Sequence, residues 1–308
     1  MRVAAIDQGT NTTRLLIADV DGDSVEEVVR RSVITRLGEG VDERRRLLPV
    51  PIARVRNVLS DYRREAERNC VERALLVATS AVRDAENGEA FLGEIEWSYG
   101  FATRLLSGDE EAALTLRGIG TDRPVGERTL VLDIGGGSTE LVLGSNRTSV
   151  DVGSVRATER FLRTDPPTGE EIDACAEDVR SQLPELDVDD AVGVAGTITS
   201  IAALDLGLDE YERERVHGHP LSFAGAEAQL ERLGALPLAE RRGVPALDPE
   251  RAPVIVAGAL ILVEVLRRYE LDAIEVSERD ILDGAALEAA ALPEPVEGDA
   301  PPGAYTCC

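Results

Sequence analysis

A glycine-rich segment bracketed by two acids indicates chemistry more directly than any other part of the sequence. Residues 130–144 read Leu-Val-Leu-Asp-Ile-Gly-Gly-Gly-Ser-Thr-Glu-Leu-Val-Leu-Gly. The three glycines are expected to turn the backbone with positive φ and bring its N–H groups close to a ligand. Successive N–H groups of this kind form a concave site for an anion such as phosphate. The predicted phosphate contacts are Gly135, Gly136, Gly137 and Ser138.

Two carboxylates flank this segment, Asp133 before it and Glu140 after it. Hard divalent cations take oxygen ligands, so these acids are the predicted ligands of Mg²⁺ or another divalent cation. The alternative is a tight hairpin turn that binds nothing. Such a turn needs one or two glycines rather than three with an acid on either side, so we favour the phosphate loop.

The same pattern occurs a second time, at residues 3–17, which read Val-Ala-Ala-Ile-Asp-Gln-Gly-Thr-Asn-Thr-Thr-Arg-Leu-Leu-Ile. A single alignment superposes the two segments, pairing Asp7 with Asp133, Gly9 with Gly135 and Thr13 with Thr139. Repetition of a whole supersecondary unit predicts two related lobes with a cleft between them. Two phosphate loops facing across a cleft would hold a chain of phosphates from both sides. The predicted contacts of this loop are Gly9, Thr10, Asn11 and Arg14, with Asp7 near the metal.

The charge balance is strongly acidic, and the sequence contains no lysine. Asp and Glu number 58 against 33 basic residues, all of them Arg, which gives a net charge of −25 over 308 residues. Such a surface suits molar salt, where a Debye length of about 3 Å screens self-repulsion. We therefore expect the protein of a salt-accumulating halophile. An acidic nucleic-acid mimic is disfavoured because the acids are scattered along the chain.

This composition excludes several classes of partner and site. A phosphate site of the Walker type requires a Lys, so phosphate must be held by backbone N–H groups, Arg and metal. No basic stripe is available for duplex nucleic acid. No apolar run approaches the roughly 20 residues of a membrane span, and a strand begins at once without a signal-peptide pattern, so we expect a cytoplasmic protein. The four cysteines match no disulfide framework or zinc spacing and are expected to be non-catalytic.

Further along the chain, helix starts supply polar side chains. Thr79 and Ser80 precede a predicted helix whose N-terminus favours an anion, and Arg83 on it is a candidate phosphate contact. Ser107 and Glu110 stand at capping-box spacing, which predicts that Glu110 folds back onto the backbone and that Glu111 projects from the helix. Thr168 and Glu171 form a second capping box.

Three other features complete the site prediction. A strand ending near Ala195 is followed by Gly196 and Thr197, which open a helix and are expected to touch the distal part of the substrate. The His-Gly-His segment at 217–219 has a metal-like spacing, but two ligands without a third favour a loop role. Residues 281–291 read as a last helix, and the acidic tail 293–308 is expected to be disordered.

Six stretches in order resemble one known family, that of exopolyphosphatases and guanosine pentaphosphate phosphohydrolases. More broadly, the paired loops resemble those of acetate and sugar kinases, Hsc70 and actin. The matching stretches run from one end of the chain to the other: 5–11 (Ala-Ile-Asp-Gln-Gly-Thr-Asn), 78–84 (Ala-Thr-Ser-Ala-Val-Arg-Asp), 107–112 (Ser-Gly-Asp-Glu-Glu-Ala), 133–140 (Asp-Ile-Gly-Gly-Gly-Ser-Thr-Glu), 193–197 (Gly-Val-Ala-Gly-Thr) and 236–245 (Leu-Pro-Leu-Ala-Glu-Arg-Arg-Gly-Val-Pro).

The resemblance implies an α/β fold of two actin-like ATPase domains, at 1–118 and 119–279, with the helix near 280–292 packing back on the first. It implies hydrolysis of the terminal phosphate of inorganic polyphosphate, with Glu111, of the pair Glu110 and Glu111, as the base that activates water. Gln8 and Thr10 stand where the family usually has an aliphatic residue and Ser, and Ala195 where it has Gly. Neither departure removes a proposed catalytic group, and Ala195 is expected only to restrict the third loop.

Three alternatives stay open at this point. Guanosine pentaphosphate presents the same terminal anhydride as polyphosphate. A sugar or acyl kinase and a nucleotide-binding module share the superfamily's loops but would not use a water-activating glutamate. The sequence also leaves the oligomeric state open, a homodimer being one expected assembly.

Overall fold

The structure is a computed structural model, and it describes residues 1–293. The predicted disordered tail, 293–308, lies outside the described residues except for Pro293. The chain divides into two compact units. The first comprises Met1–Pro124 and the chain from Arg279 onward, and the second comprises Val125–Glu278.

The first unit begins with a three-stranded meander and continues with alternating helices and strands. Its elements before residue 125 are β1 (Arg2–Gln8), β2 (Thr12–Asp21), β3 (Ser24–Ile34), α1 (Val41–Arg44), α2 (Pro49–Arg68), β4 (Arg73–Ala78), α3 (Ser80–Arg83), α4 (Gly88–Tyr99), β5 (Ala102–Leu105) and α5 (Gly108–Ile119). Its sheet has the order β3-β2-β1-β4-β5. The first three strands are antiparallel, whereas β1, β4 and β5 run parallel.

The second unit repeats this plan with additional elements. They are β6 (Thr129–Ile134), β7 (Thr139–Leu143), β8 (Asn146–Val150), α6 (Ser154–Phe161), α7 (Gly169–Gln182), β9 (Asp190–Val194), α8 (Ala195–Asp205), α9 (Arg213–Val216), β10 (Pro220–Ser222), α10 (Phe223–Ala235), α11 (Leu238–Arg241), α12 (Ile255–Arg268) and β11 (Ala273–Val276). The order β10-β11-β9-β6-β7-β8 contains the same meander followed by two parallel strands. The repeat found between 3–17 and 130–144 is therefore a repeat of whole sheets, and two α/β domains are confirmed.

The last helix, α13 (Ile281–Ala291), returns to the first unit. The central strand β1 is a continuous apolar run, as expected for an inner strand with both faces covered. Ile6 on one face packs in the core beneath α2 and α4, whereas Val3 and Ala5 on the other pack with Leu282 of α13. Helices α5 and α13 thus cover the side of the sheet opposite α2 and α4.

Close backbone approach joins α13 to α5. A β-carbon added to Gly284 would lie 2.1 Å from the carbonyl oxygen of Leu114, and one added to Gly118 would lie 1.8 Å from that of Asp280. We expect Gly284→Ala to lower the free energy of unfolding by about 1–3 kcal/mol, because backbone atoms cannot move aside as a side chain can. The measurement is urea unfolding of both proteins.

The matched control is Gly93→Ala, in the interior of α4, where an added β-carbon meets nothing within 4 Å. Alanine is favoured over glycine in a helix interior, so this change should raise the free energy of unfolding by about 0.5–1 kcal/mol. Equal stability of Gly284→Ala and wild type would show that α5 and α13 are not packed this closely.

Candidate active site

The first glycine loop, Gly9–Asn11, connects β1 to β2 as a hairpin. The N–H of Gly9 donates to the carbonyl of Thr12 (3.0 Å). The carbonyl of Thr10 accepts from the N–H of Gly38 (2.8 Å). The carbonyl of Asn11 accepts from the N–H groups of Thr35 and Arg36 (2.9 Å each). With its carbonyls bound there, the loop leaves the N–H groups of Thr10 and Asn11 without an acceptor in residues 1–293. They can donate to an anion.

The second loop, Gly135–Ser138, has the same construction between β6 and β7. The N–H of Gly135 donates to the carbonyl of Ser138 (3.0 Å), matching Gly9 and Thr12 in the first loop. The Gly135 carbonyl accepts from the N–H of Ser154 (2.9 Å). The Gly136 carbonyl accepts from the N–H groups of Val155 (2.8 Å) and Arg156 (3.1 Å) in α6. In the described chain, the N–H groups of Gly136, Gly137 and Ser138 again have no acceptor.

Two expectations about this loop need correction. None of its three glycines has the positive φ that we expected. The loop is also a hairpin, as the alternative proposed, so a hairpin and an anion-binding loop do not exclude each other. Contact with α6 is tight here: a β-carbon on Gly153 would lie 2.5 Å from backbone atoms of Gly136 and Gly137.

Asp133 and Glu140 face each other across this hairpin. They are directly paired in the register of β6 and β7, and both are buried. Cross-strand partners have β-carbons about 4.5–5.5 Å apart, so two carboxylates there repel unless a cation lies close to them. Ser149 donates to one oxygen of Glu140 (2.8 Å). This donor set fits a hard divalent cation such as Mg²⁺, which keeps several waters and needs few protein ligands. Residues 1–293 contain no cluster of three acidic, His or Cys ligands.

The equivalent pair in the first hairpin is an acid and a base. Arg14 lies opposite Asp7, and its Nε and Nη2 donate to one oxygen of Asp7 (2.9 and 2.7 Å). Arg14 also binds Asp280, the residue that caps α13. The other oxygen of Asp7, Oδ1, is buried and accepts no hydrogen bond from residues 1–293. Burial raises the pKa of Asp7, although Arg14 opposes that shift. Its metal role and the substrate role of Arg14 stay predictions.

Helix α5 begins as the sequence predicted. Ser107 accepts from the N–H of Glu110, and Glu110 accepts from the N–H of Ser107 (2.8 Å), which confirms the capping box. Arg104 is a further partner of Glu110 (2.6 Å). Bonds from Arg104 and from the Ser107 backbone and hydroxyl lower the pKa of Glu110 to about 2. Glu110 is therefore an ionised capping residue whose two oxygens are both bonded.

Glu111, the next residue, lies in a different environment. Its side chain is only 10% exposed, and Arg83 approaches it with Nη1 at 3.4 Å from Oε2. The same nitrogen of Arg83 donates to the carbonyl of Leu106 (2.7 Å). The guanidinium thus lies between the end of β5 and the buried carboxylate. Its positive charge and the N-terminus of α5 both favour the ionised form that a general base requires.

The loop, Arg83 and Glu111 lie on one edge of the first sheet. β1, β4 and β5 are parallel, and the segments that follow their carboxyl ends carry Gly9–Asn11, Ser80–Arg83 and Ser107–Glu111. The hydroxyls of Thr10 and Ser80 are 2.8 Å apart, which joins the first two segments directly. Ligands of open α/β sheets bind at this edge. In the second unit, loop Gly135–Ser138 follows β6. The turn Ala195–Thr197, which we call the third loop, follows the neighbouring parallel strand β9.

The third loop differs from the expectation for Ala195. This residue lies at the start of α8 with φ 69°, in the left-handed region. A non-glycine residue there costs about 1–2 kcal/mol, so Ala195 adds strain rather than only restricting the backbone. The guanidinium of Arg251 covers Gly196, since a β-carbon there would lie 2.3 Å from its Nη2. The side chain of Thr197, the next residue, is buried.

Arg156 is a further candidate site residue, which no sequence motif indicated. It is buried in the first turn of α6, its N–H donates to Gly136 of the second loop, and its Nη1 lies 3.5 Å from Asp151. A buried arginine beside a phosphate loop is a candidate anion contact. The only sequence signal was an arginine three residues after Gly153, which spacing alone does not distinguish from a surface residue.

The remaining candidates are the two histidines and the cysteines. His219 is 2.8 Å from Asp205, and Nδ1 of His217 accepts from the backbone of Glu278 (3.1 Å). Burial raises the pKa of the Cys175 thiol to about 12. Cys307 and Cys308 lie outside the described residues. In residues 1–293, every helix is too short or too polar to cross a membrane.

Comparison with known proteins identifies the class to which this fold and site belong. Residues 16–291 match the model of the Ppx/GppA phosphatase family, and the chain belongs to that family. The match begins just after the first loop. The fold is accordingly that of the actin-like ATPase domains that the paired loops predicted.

Individual relatives cover almost the whole chain. It is 39% identical to exopolyphosphatase 2 of Mycobacterium tuberculosis, an alignment that spans 94% of this chain and 98% of that protein. It is 29% identical to a guanosine-5'-triphosphate,3'-diphosphate pyrophosphatase of Vibrio vulnificus, over 92% of this chain and 58% of that one. Among solved structures, a Ppx/GppA family member of Aquifex aeolicus superposes with a TM-score of 0.78 at 32% identity, covering 94% of this chain and 98% of that one.

Proposed function

We propose that this protein is an exopolyphosphatase, which hydrolyses the terminal phosphoanhydride of inorganic polyphosphate. The observation that carries the proposal is the position of Glu111. It is a buried carboxylate outside the capping box, paired with Arg83, on the same sheet edge as a loop with unbonded N–H groups. Similarity to the mycobacterial exopolyphosphatase along nearly the full length supports the same assignment.

The proposed mechanism assigns a role to each group. Glu111 accepts the proton of the attacking water, and Arg83 holds its carboxylate in place. The N–H groups of loop Gly9–Asn11 donate to phosphate oxygens, and the N–H groups of loop Gly135–Ser138 in the second unit are available for the same role. A bound Mg²⁺, held by Asp133 and Glu140, would supply neutralisation of phosphate charge. Catalysis would consist mainly of positioning and electrostatic stabilisation, as in other phosphoryl transfers.

Guanosine pentaphosphate is the second candidate substrate, because the Vibrio relative is named for its action on that nucleotide. This chain spans little more than half of that relative, whereas it spans nearly all of the mycobacterial one. We therefore rank polyphosphate first. Cytoplasmic location, a halophilic source and a homodimeric assembly stay predictions.

A phosphate-release assay tests the proposal. Long-chain polyphosphate, guanosine pentaphosphate and ATP are compared at equal terminal-phosphate concentration, with Mg²⁺, in molar KCl to suit the acidic composition. We expect the highest kcat/KM with polyphosphate. Faster release from guanosine pentaphosphate would transfer the assignment to the nucleotide. Release from ATP only in the presence of an acceptor sugar or carboxylate would indicate a kinase instead.

A further inference from the structure

Arg44, Arg45 and Arg46 form the one run of three arginines in the sequence. All three are exposed, at the end of α1 and just beyond it. Among residues 1–293, none of their guanidinium groups makes an ion pair or hydrogen bond. We refer to them below as the arginine run.

The arginine run differs from isolated unpaired arginines because its three residues are consecutive. Several other exposed arginines bind carboxylates closely: Arg56 forms two bonds to Glu94 (2.6 and 2.7 Å), and Arg64 binds Asp61 (2.6 Å). With 58 acids and 33 arginines, partners are abundant. Three successive exposed residues of the arginine run therefore carry cationic groups that an external anion can reach.

The arginine run lies beside the candidate active site. Backbone bonds lead to it from the first loop: Gly38 donates to Thr10 (2.8 Å), Val41 to Gly38 (3.0 Å) and Arg45 to Val41 (2.8 Å). On the other side, the carbonyl of Arg45 accepts from the N–H of Glu86 (2.8 Å), three residues beyond Arg83. The run is therefore fixed next to both the loop and the segment that carries Arg83.

The chemistry of the guanidinium group selects the ligand. Its planar fork binds phosphate oxygens in pairs and keeps its charge at any working pH. Three successive guanidinium groups suit a linear anion that carries a negative charge on every unit, as polyphosphate does. A nucleotide ends its phosphate chain in a sugar and a base, which offer no further charge.

We propose that the arginine run binds the part of a polyphosphate chain that extends beyond the reacting phosphate, and so favours long chains over short ones and over nucleotides. This inference rests on the proposed function. It assigns chain-length preference to three residues outside the catalytic machinery, in the first unit of the fold.

The test compares two triple variants of the full chain. One is Arg44→Gln/Arg45→Gln/Arg46→Gln. The control is Arg147→Gln/Arg163→Gln/Arg242→Gln, which alters three exposed arginines of the second unit that likewise form no ion pair within residues 1–293. Each variant changes the net charge by the same amount, from −25 to −28 (−25 − 3). Thermal unfolding midpoints in the assay buffer confirm that both are folded.

We expect the arginine-run variant to raise KM for long-chain polyphosphate by about 10- to 100-fold, as the loss of three charge contacts implies. KM for tripolyphosphate should change less than about twofold, since a short chain does not reach the run. The control variant should change neither. The slope of log KM against log KCl for long chains should fall by about 2, at about 0.7 per lost contact.

Equal changes in KM for long and short chains, or equal effects of the two variants, would overturn the proposal. Its failure is separable from failure of the proposed function. If the wild type releases no phosphate from polyphosphate, calorimetric binding of long-chain polyphosphate to the same three proteins decides the question. Weaker binding by the arginine-run variant alone supports the site, and equal binding overturns it. Binding of single-stranded RNA as tightly as polyphosphate would assign the run to nucleic acid instead.

Discussion

Glu111→Gln should lower kcat for polyphosphate hydrolysis by about 10²–10⁴-fold, the usual contribution of a general base. The change keeps the size of the side chain and removes only its ability to accept a proton. Because Glu111 does not belong to the capping box, α5 should begin as before. KM should stay close to the wild-type value. Steady-state phosphate release and calorimetric binding of polyphosphate separate the two effects.

The neighbouring substitution Glu110→Gln is the matched control. Glutamine keeps an oxygen that can cap Ser107, so most activity should remain. The same variant has a distinct acid response. The folded state lowers the pKa of Glu110 from 4.5 to about 2, so its carboxylate contributes stability above about 4.5 and loses it as pH falls through about 2. That part of acid destabilisation should be absent in Glu110→Gln. If activity falls with Glu110→Gln and survives in Glu111→Gln, the base is misassigned.

The second large effect concerns the paired carboxylates of the second hairpin. Asp133→Asn and Glu140→Gln should each raise the Mg²⁺ concentration for half-maximal activity by about 10- to 100-fold. Each change removes one negative charge from a buried pair that faces across β6 and β7. Calorimetric titration with Mg²⁺ alone measures the same loss without turnover.

The control is Glu127→Gln, an exposed acid just before β6 that carries the same charge change. Its Mg²⁺ response should match the wild type. Full activity in excess chelator would contradict the metal role of Asp133 and Glu140, and so would equal Mg²⁺ affinity of all three variants and wild type.

The features that could be read from the sequence are those that depend on residues close together along the chain. The capping boxes at Ser107 and Thr168 join residues three apart, and both are formed. The last helix was predicted at 281–291 and is observed there. The internal repeat indicated two related α/β domains because strand, loop and strand are adjacent in each copy, and the matching bonds at Gly9 and Gly135 confirm that alignment.

Other properties of the site needed the tertiary structure. The run of three glycines predicted positive φ at Gly135–Gly137. The observed φ values are not positive, and hydrogen bonds from α6 hold the backbone of Gly135 and Gly136. The two carboxylate partners of Arg14, Asp7 and Asp280, could not be read from the sequence, since Asp280 lies 266 positions away. The sequence predicts only a restricted backbone at Ala195, whereas its φ of 69° places it in the strained left-handed region.

The sequence by itself thus determined which residues are chemically competent, and the order of the strands determined which of them meet. Local hydrogen bonds and hydrophobic periodicity are encoded within a few residues. The partners of a charged side chain depend instead on which strands lie side by side in the sheet. Arg83 and Glu111 are 28 positions apart, and they meet because β4 and β5 are parallel neighbours whose carboxyl ends share one edge. That placement is a property of the packed sheet rather than of either segment.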